Sequence, residues 1–238
     1  MVESYRQGMQ EREFLRRYAR WDGDESDRDE FRRVESELGF KVVSIYGVEY
    51  PDSLRGTFMP PPALYCIGDT SLLNRVLVGV VGSRKAPGEA VIRGERLGNM
   101  LEKKGLLPVS GLAIGIDASV HRGARRSIGV IGCGIDRIYP LANRLLFEKV
   151  KKEGCLVSEF PLGTAPLAWH FPRRNRLIAG LSCFVCVVHG RPGSGALITL
   201  DAALEEGREV FVEETLVEEG IAVGFLLKDL EILLDRGI

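Results

Sequence analysis

Histidine and tryptophan are scarce in this chain, long apolar runs are missing, and neither sign of charge is in excess. Three histidines and two tryptophans occur among 238 residues, and 32 Lys and Arg nearly cancel 33 Asp and Glu to leave a net charge of −1. No bulk field therefore selects nucleic acid or a membrane surface, and such a partner has to be met by a local patch. The apolar runs VLVGVVG and CFVCVV fall far short of the ~20 residues that cross a bilayer, so no membrane partner is expected. The first twenty residues, MVESYRQGMQEREFLRRYAR, lack the apolar centre of a secretion signal. Five cysteines form an odd set, most of them inside apolar runs, which suits a reducing cytoplasm better than a disulfide framework. Cys183 and Cys186 are spaced C-x-x-C, yet on an extended strand residues three apart point to opposite faces. No second cysteine pair or histidine cluster completes a metal site, and no cofactor is expected.

What is present is a core and an alternating pattern. The 45% apolar share suffices for one large domain with a small appendage. Residues 1–40 mix Arg, Asp and Glu with apolar residues at near-helical spacing and predict a short helical segment. FKVVSIYG reads as a strand. Residues 41–75 as a whole read as an extended connector, because Pro60, Pro61 and Pro62 forbid helix there. From residue 76 to 238 apolar strands alternate with glycine-bearing turns and amphipathic helices, six strands in all, ahead of an apolar closing helix. That order predicts an α/β fold of extended Rossmann-like type, a mostly parallel sheet with helices on both faces.

In such a sheet the ligand crevice lies at the carboxyl ends of the strands, where loops present backbone amides and helix N-termini. The candidates there are Ser83 and Arg84 after the first strand of this domain, Ser110 and Gly111 after the second, and Ser194 and Gly195 after the fifth. Small residues let an anion approach the main chain. Arg173, Arg174 and Arg176 stand beside Trp169, His170 and Phe171, and guanidinium forks next to flat rings are the mixture that single-stranded nucleic acid needs. The competing interpretation of WHFPRRNR is a helix N-terminus with Phe171 in the core and its arginines in solvent. Asp117 and His121, one helical turn apart, can be read as an acid/base pair or as a cap with a histidine packed beneath it.

The ordered series YPDSLRGTFMPPPALYCIGD, VGVVGSRKA, GLLPVSGLAIGIDASVHRGA, IGVIGCGIDRIYP, LVSEFPLG, FPRRNRLIAGLS and GSGALIT resembles the DNA-processing protein A (DprA/Smf) family over about residues 45–212. The resemblance implies a Rossmann-like domain that binds single-stranded DNA, protects it and hands it to a RecA-type recombinase in natural transformation and recombination. It also implies a homodimer without a catalytic step. Carried onto this chain, the DNA-binding set is Ser83, Arg84, Ser110, Gly111, Arg144, Phe171, Arg173, Arg174, Asn175, Arg176, Ser194 and Gly195. Ile114 departs from the pattern, since the family usually carries arginine there. Glu213 and Glu214 stand where it continues with Pro-Gly, and the winged-helix domain that many members append is not expected from these residues.

A second class stays open: a nucleotide-binding sensor, or an enzyme like the nucleoside-monophosphate phosphoribohydrolases, whose Pro-Gly-rich loop RPGSGALIT superficially matches. Those enzymes place a catalytic glutamate three residues past the threonine, and here that position is Ala202. Ser110 and Ser194 also lack the strained G-x-S-x-G elbow of a hydrolase nucleophile. No enzymatic activity is expected.

Overall fold

The computed structural model describes residue 36 and residues 39–236, so the helices expected before residue 36 lie outside the described residues. Nine strands form one sheet in the order β1-β2-β6-β5-β4-β3-β7-β8-β9. These are β1 (Lys41–Ser44), β2 (Ala63–Gly68), β3 (Leu77–Gly82), β4 (Leu107–Ser110), β5 (Ile128–Val130), β6 (Cys155–Ser158), β7 (Phe184–His189), β8 (Glu209–Val212) and β9 (Phe225–Leu226). From β6 to β9 every pairing is parallel; β1 and β2 join antiparallel at one edge.

Residues 41–75 are not simply an extended connector: they carry β1, β2 and a 3-10 turn at Thr70–Asn74. Leu64 and Cys66 of β2 carry one face of the core past β6, and Tyr65 carries the other. A short helix, α1 (Asp52–Arg55), precedes the three prolines, and no helix spans them.

The remaining helices are α2 (Gly88–Lys103), α3 (Ile116–Gly123), α4 (Arg144–Glu153), α5 (His170–Leu181), α6 (Gly195–Glu205), α7 (Glu214–Glu218) and α8 (Leu227–Arg236). Alternation along the strands sorts them into two layers. Leu77 and Val81 of β3 pack with Leu177, Ile178 and Leu181 of α5 and with Leu200 of α6. Val78 and Val80 pack on the opposite face with Leu97 of α2, Val120 of α3, and Leu227 and Leu230 of α8. The closing helix thus docks on the sheet, while Phe225, Ile232 and Leu233 remain 44–56% exposed.

The chain runs outward from β3 through β4 and β5 to β6, then returns to lay β7 on the other side of β3. Helices after β3 and β7 therefore leave toward different sides, and the loops that follow these paired strands diverge. A crevice opens at that reversal by topology alone.

Candidate functional site

A cleft of about 650 Å³ occupies this position. Its walls come from Gly82 to Lys85 after β3, Ala113 and Asp117 after β4, Pro166 and Ala168 before α5, and Arg191, Ser194 and Gly195 after β7. Phe171, Arg174, Asn175 and Ile178 of α5 complete it. Their spacing of three, four and seven residues places them on one stripe of that helix.

The walls are held at close quarters by small residues. Gly115 takes φ +83°, and a Cβ there would lie 2.3 Å from the Ser83 carbonyl oxygen, so glycine alone lets the β4 loop rest on the β3 loop. The Ser83 amide donates to the His189 carbonyl, and the Ser83 hydroxyl accepts from the Lys85 amide at 3.1 Å. Across the cleft the Arg191 amide donates to the Ser194 hydroxyl at 3.3 Å, ahead of the N-terminus of α6.

Below the opening lies a buried charge pair at a distance. Arg174 is 3% exposed and donates to the Val130 carbonyl. Burial lowers its pKa to about 10 and the Asp117 charge counteracts this, while Arg84 lowers it further. Asp117 is 7% exposed and accepts from the Ala113 amide at 3.4 Å; burial raises its pKa and the Arg174 charge pulls it back down. Asp117 therefore does not cap α3, whose N-cap is Gly115 with no side-chain bond. His121 does pack beneath, fully buried, its Nδ1 2.8 Å from the Ser127 hydroxyl. The two residues are not an acid/base couple facing one space.

Three cations stay exposed at the mouth: Arg84, Lys85 and Arg191. None of them forms an ion pair among the described residues. The Arg84 guanidinium lies 5.2 Å over the Phe171 ring, and Tyr139, 43% exposed, packs on Phe171 with ring centroids 5.5 Å apart. Cations, hydroxyls, amides, the exposed Tyr139 ring and the half-buried Phe171 ring meet here, which is what binding a phosphate and stacking a base require.

The expected residues divide sharply in the structure. Ser83, Arg84, Phe171, Arg174, Asn175, Ser194 and Gly195 all line the cleft. Asn175 donates to the Gly195 carbonyl at 3.0 Å and so ties α5 to the β7 loop. Ser110 is fully buried and donates to the Val80 carbonyl at 2.6 Å, a support beneath the floor. Gly111 makes room for Arg174: a Cβ there would lie 2.0 Å from its Nη1. Arg144 opens α4 exposed to solvent, on the same rim but outside the cleft lining.

Arg173 and Arg176 are turned away from the cleft. Both hold Glu159, whose side chain is 2% exposed, and Arg176 also donates to the Met59 carbonyl. Arg122 in the last turn of α3 and Arg125 and Arg126 just beyond it lie at the end opposite the rim, where Glu95 and Glu102 pair with them. Lys85, Arg191 and Tyr139 were missing from the expected set. The signal was available for Arg191, which stands one residue, Pro192, ahead of the Gly193-Ser194-Gly195 turn.

A family model described as DNA recombination-mediator protein A matches residues 41–225. The chain belongs to that family. It is 43% identical over 182 residues to the DNA processing protein DprA of Bacillus subtilis, covering 74% of this chain and 61% of that one. The Streptococcus pneumoniae DprA is 39% identical over 189 residues, with 78% and 67% covered. The chain thus spans about three fifths of the Bacillus relative. Among solved structures, the Streptococcus pneumoniae DprA superposes with a TM-score of 0.73 at 34% identity over 84% of this chain and 77% of that one. DNA processing protein A from Helicobacter pylori, described for its single-stranded DNA binding mode, gives 0.72 at 27% identity over 83% and 97%. Membership in the family agrees with the Rossmann-like sheet, and no helix among the described residues is long and apolar enough to cross a membrane.

Proposed function

We propose that this chain binds single-stranded DNA in the cleft between the carboxyl ends of β3 and β7, as a DNA-processing protein of natural transformation and recombination. One observation carries the proposal: exposed Arg84, Lys85 and Arg191 surround an accessible aromatic pair, Phe171 and Tyr139, at the fold's switch point. The likeness to the Helicobacter pylori protein supports it. In this reading Arg84, Lys85 and Arg191 hold phosphates and the Phe171–Tyr139 pair holds a base. Ser83, Ser194 and Gly195 offer small polar contacts to the backbone, and Arg174, Asn175, Ser110 and Gly111 set the geometry. Arg144 extends the charge along the rim. Protection of the strand and its transfer to a RecA-type recombinase complete the role.

We also propose a homodimer, supported by Phe225, Ile232 and Leu233, which leave an apolar strip exposed beside the docked face of α8. Light scattering at micromolar concentration gives twice the chain mass if this is correct. A monomer mass rejects it.

The cleft's one carboxylate among its lining residues, Asp117, is the single feature that favours a nucleotide-cleaving reading. Its oxygen is committed to the Ala113 amide and its charge to Arg174, so the binding reading is preferred and no catalytic step is assigned. The deciding experiment is a titration with an oligothymidylate, the same length of duplex and mononucleotides, followed by product analysis. Tight binding of the single strand with no base, ribose or phosphate released supports the proposal. Equal affinity for duplex, or turnover abolished by Asp117→Asn, overturns it.

A further inference from the structure

Helix α5 carries a second face that the cleft does not use. Phe171, Arg174, Asn175 and Ile178 point into the cleft, whereas Trp169, Arg173 and Arg176 repeat at four and three residues on the opposite side of the same helix. Trp169 is 59% exposed, yet it is not loose. Its ring meets the edge of His170 at 4.0 Å, His170 lies 4.2 Å from Phe160, and the Arg173 guanidinium sits 5.7 Å over Phe160. His170 and Phe160 are both buried, so the ladder is anchored in the core and ends in an indole held out toward solvent.

We propose that Trp169 is a second stacking platform, taking a base of the same strand after it leaves the cleft over the N-terminal end of α5. The inference rests on the single-stranded DNA reading of the cleft. Continuity supports this occupant: Pro166 and Ala168, immediately before Trp169, belong to the cleft wall, and Phe171, two residues on, is its aromatic floor. Charge supports it too. Arg173 and Arg176 share the one carboxylate of Glu159, which leaves this face net positive beside an exposed ring. A strand crossing the ~10 Å width of a helix would bring its next bases to Trp169 along this positive face. An indole fixed before binding loses little freedom on stacking.

Oligothymidylates from about 3 to about 16 nucleotides, bracketing the site sizes of single-strand binders, separate the two platforms. Full-length protein with Trp21→Phe leaves Trp169 as the single tryptophan, so its fluorescence reports directly. The longer oligonucleotides quench it, and the shortest, confined to the cleft, does not. Trp169→Ala weakens binding of the longer strands by about 5- to 150-fold and leaves the shortest within about two-fold, whereas Trp169→Phe restores most of the loss. Phe171→Ala weakens every length. Equal affinities of Trp169→Ala and wild type at all lengths overturn the proposal, as does a Trp169→Ala change in light-scattering mass without a change in DNA affinity. If the wild type binds no length, the cleft reading itself fails. If Phe171→Ala alone matters, only the second platform does.

Discussion

Arg84 and Arg176 were both expected at the binding rim, and the structure gives them opposite work. Truncating Arg84 to alanine removes an exposed side chain whose internal interaction is a guanidinium over Phe171 at 5.2 Å, worth about 0.5–1 kcal/mol at an exposed site. In the bound state it would remove a charge-assisted phosphate contact of about 1.5–3 kcal/mol, a 10- to 150-fold loss of affinity. Arg176→Ala instead leaves Glu159, 2% exposed, with Arg173 alone at 3.3 Å, and frees the Met59 carbonyl. Breaking a buried pair costs about 3–5 kcal/mol; the surviving Arg173 reduces this to about 2–3. For a chain of this size that lowers the melting temperature by about 5–10 °C. Thermal unfolding and fluorescence anisotropy with a labelled oligothymidylate at about 50 and 200 mM salt read both effects. Arg84→Ala should melt within about 3 °C of wild type and flatten the log K against log salt slope by about 0.7. An Arg176→Ala protein that melts like wild type and loses a phosphate contact would refute the assignment.

Other perturbations test other parts of the site. Phe171→Ala should weaken single-strand binding by about 1–3 kcal/mol in the same titration; a drop in melting temperature with unchanged affinity would make Phe171 a core residue. Gly111→Ala forces Arg174 off the Val130 carbonyl, because the new Cβ would lie 2.0 Å from its Nη1, and should cost about 2–4 kcal/mol in urea unfolding. Burial, then the nearby Lys149 charge, lower the His121 pKa from 6.5 to about 3, so the unfolded chain takes up a proton that the folded chain refuses. His121 therefore supports folding above pH 6.5 and progressively less as pH falls toward 3. The stability advantage of wild type over His121→Asn should shrink by about 3 kcal/mol between about pH 7.5 and about pH 4.5; a gap independent of pH would show that His121 charges inside the fold.

Much of the fold was legible because strands and helices differ in period. The apolar runs VLVGVVG and CFVCVV and the start of IGVIGCG, each ending at a glycine or a histidine-glycine turn, became β3, β7 and β5. The β2 strand was hidden by its neighbours. ALYCIG follows three prolines, and nothing local shows that Tyr65 and Cys66 pair across to β6, nearly a hundred residues away. Strand order is a long-range property, and composition carries no register. The short α7 and the two-residue β9 likewise depend on where β8 ends, because segments this short have no usable period.

The site divides along the same line, and α5 shows why. A run such as WHFPRRNR places rings and guanidinium groups side by side in sequence, but a helix turns each residue 100° from the last. Arg174 then points inward to a main-chain carbonyl, Arg173 and Arg176 point outward to Glu159, and Phe171 alone of the three aromatics reaches the cleft. The identity of the outward partner was out of reach locally, since Glu159 follows β6 and meets α5 only because the chain returns to lay β7 beside β3. Small residues at strand ends pointed to the rim because the topology repeats them. The charges did not sort themselves, because a guanidinium is equally ready to hold a phosphate or a buried carboxylate. What decides between the two is whether a carboxylate is delivered by another strand: Arg173 and Arg176 receive one, whereas Arg84, Lys85 and Arg191 receive none among the described residues and remain open to a phosphate.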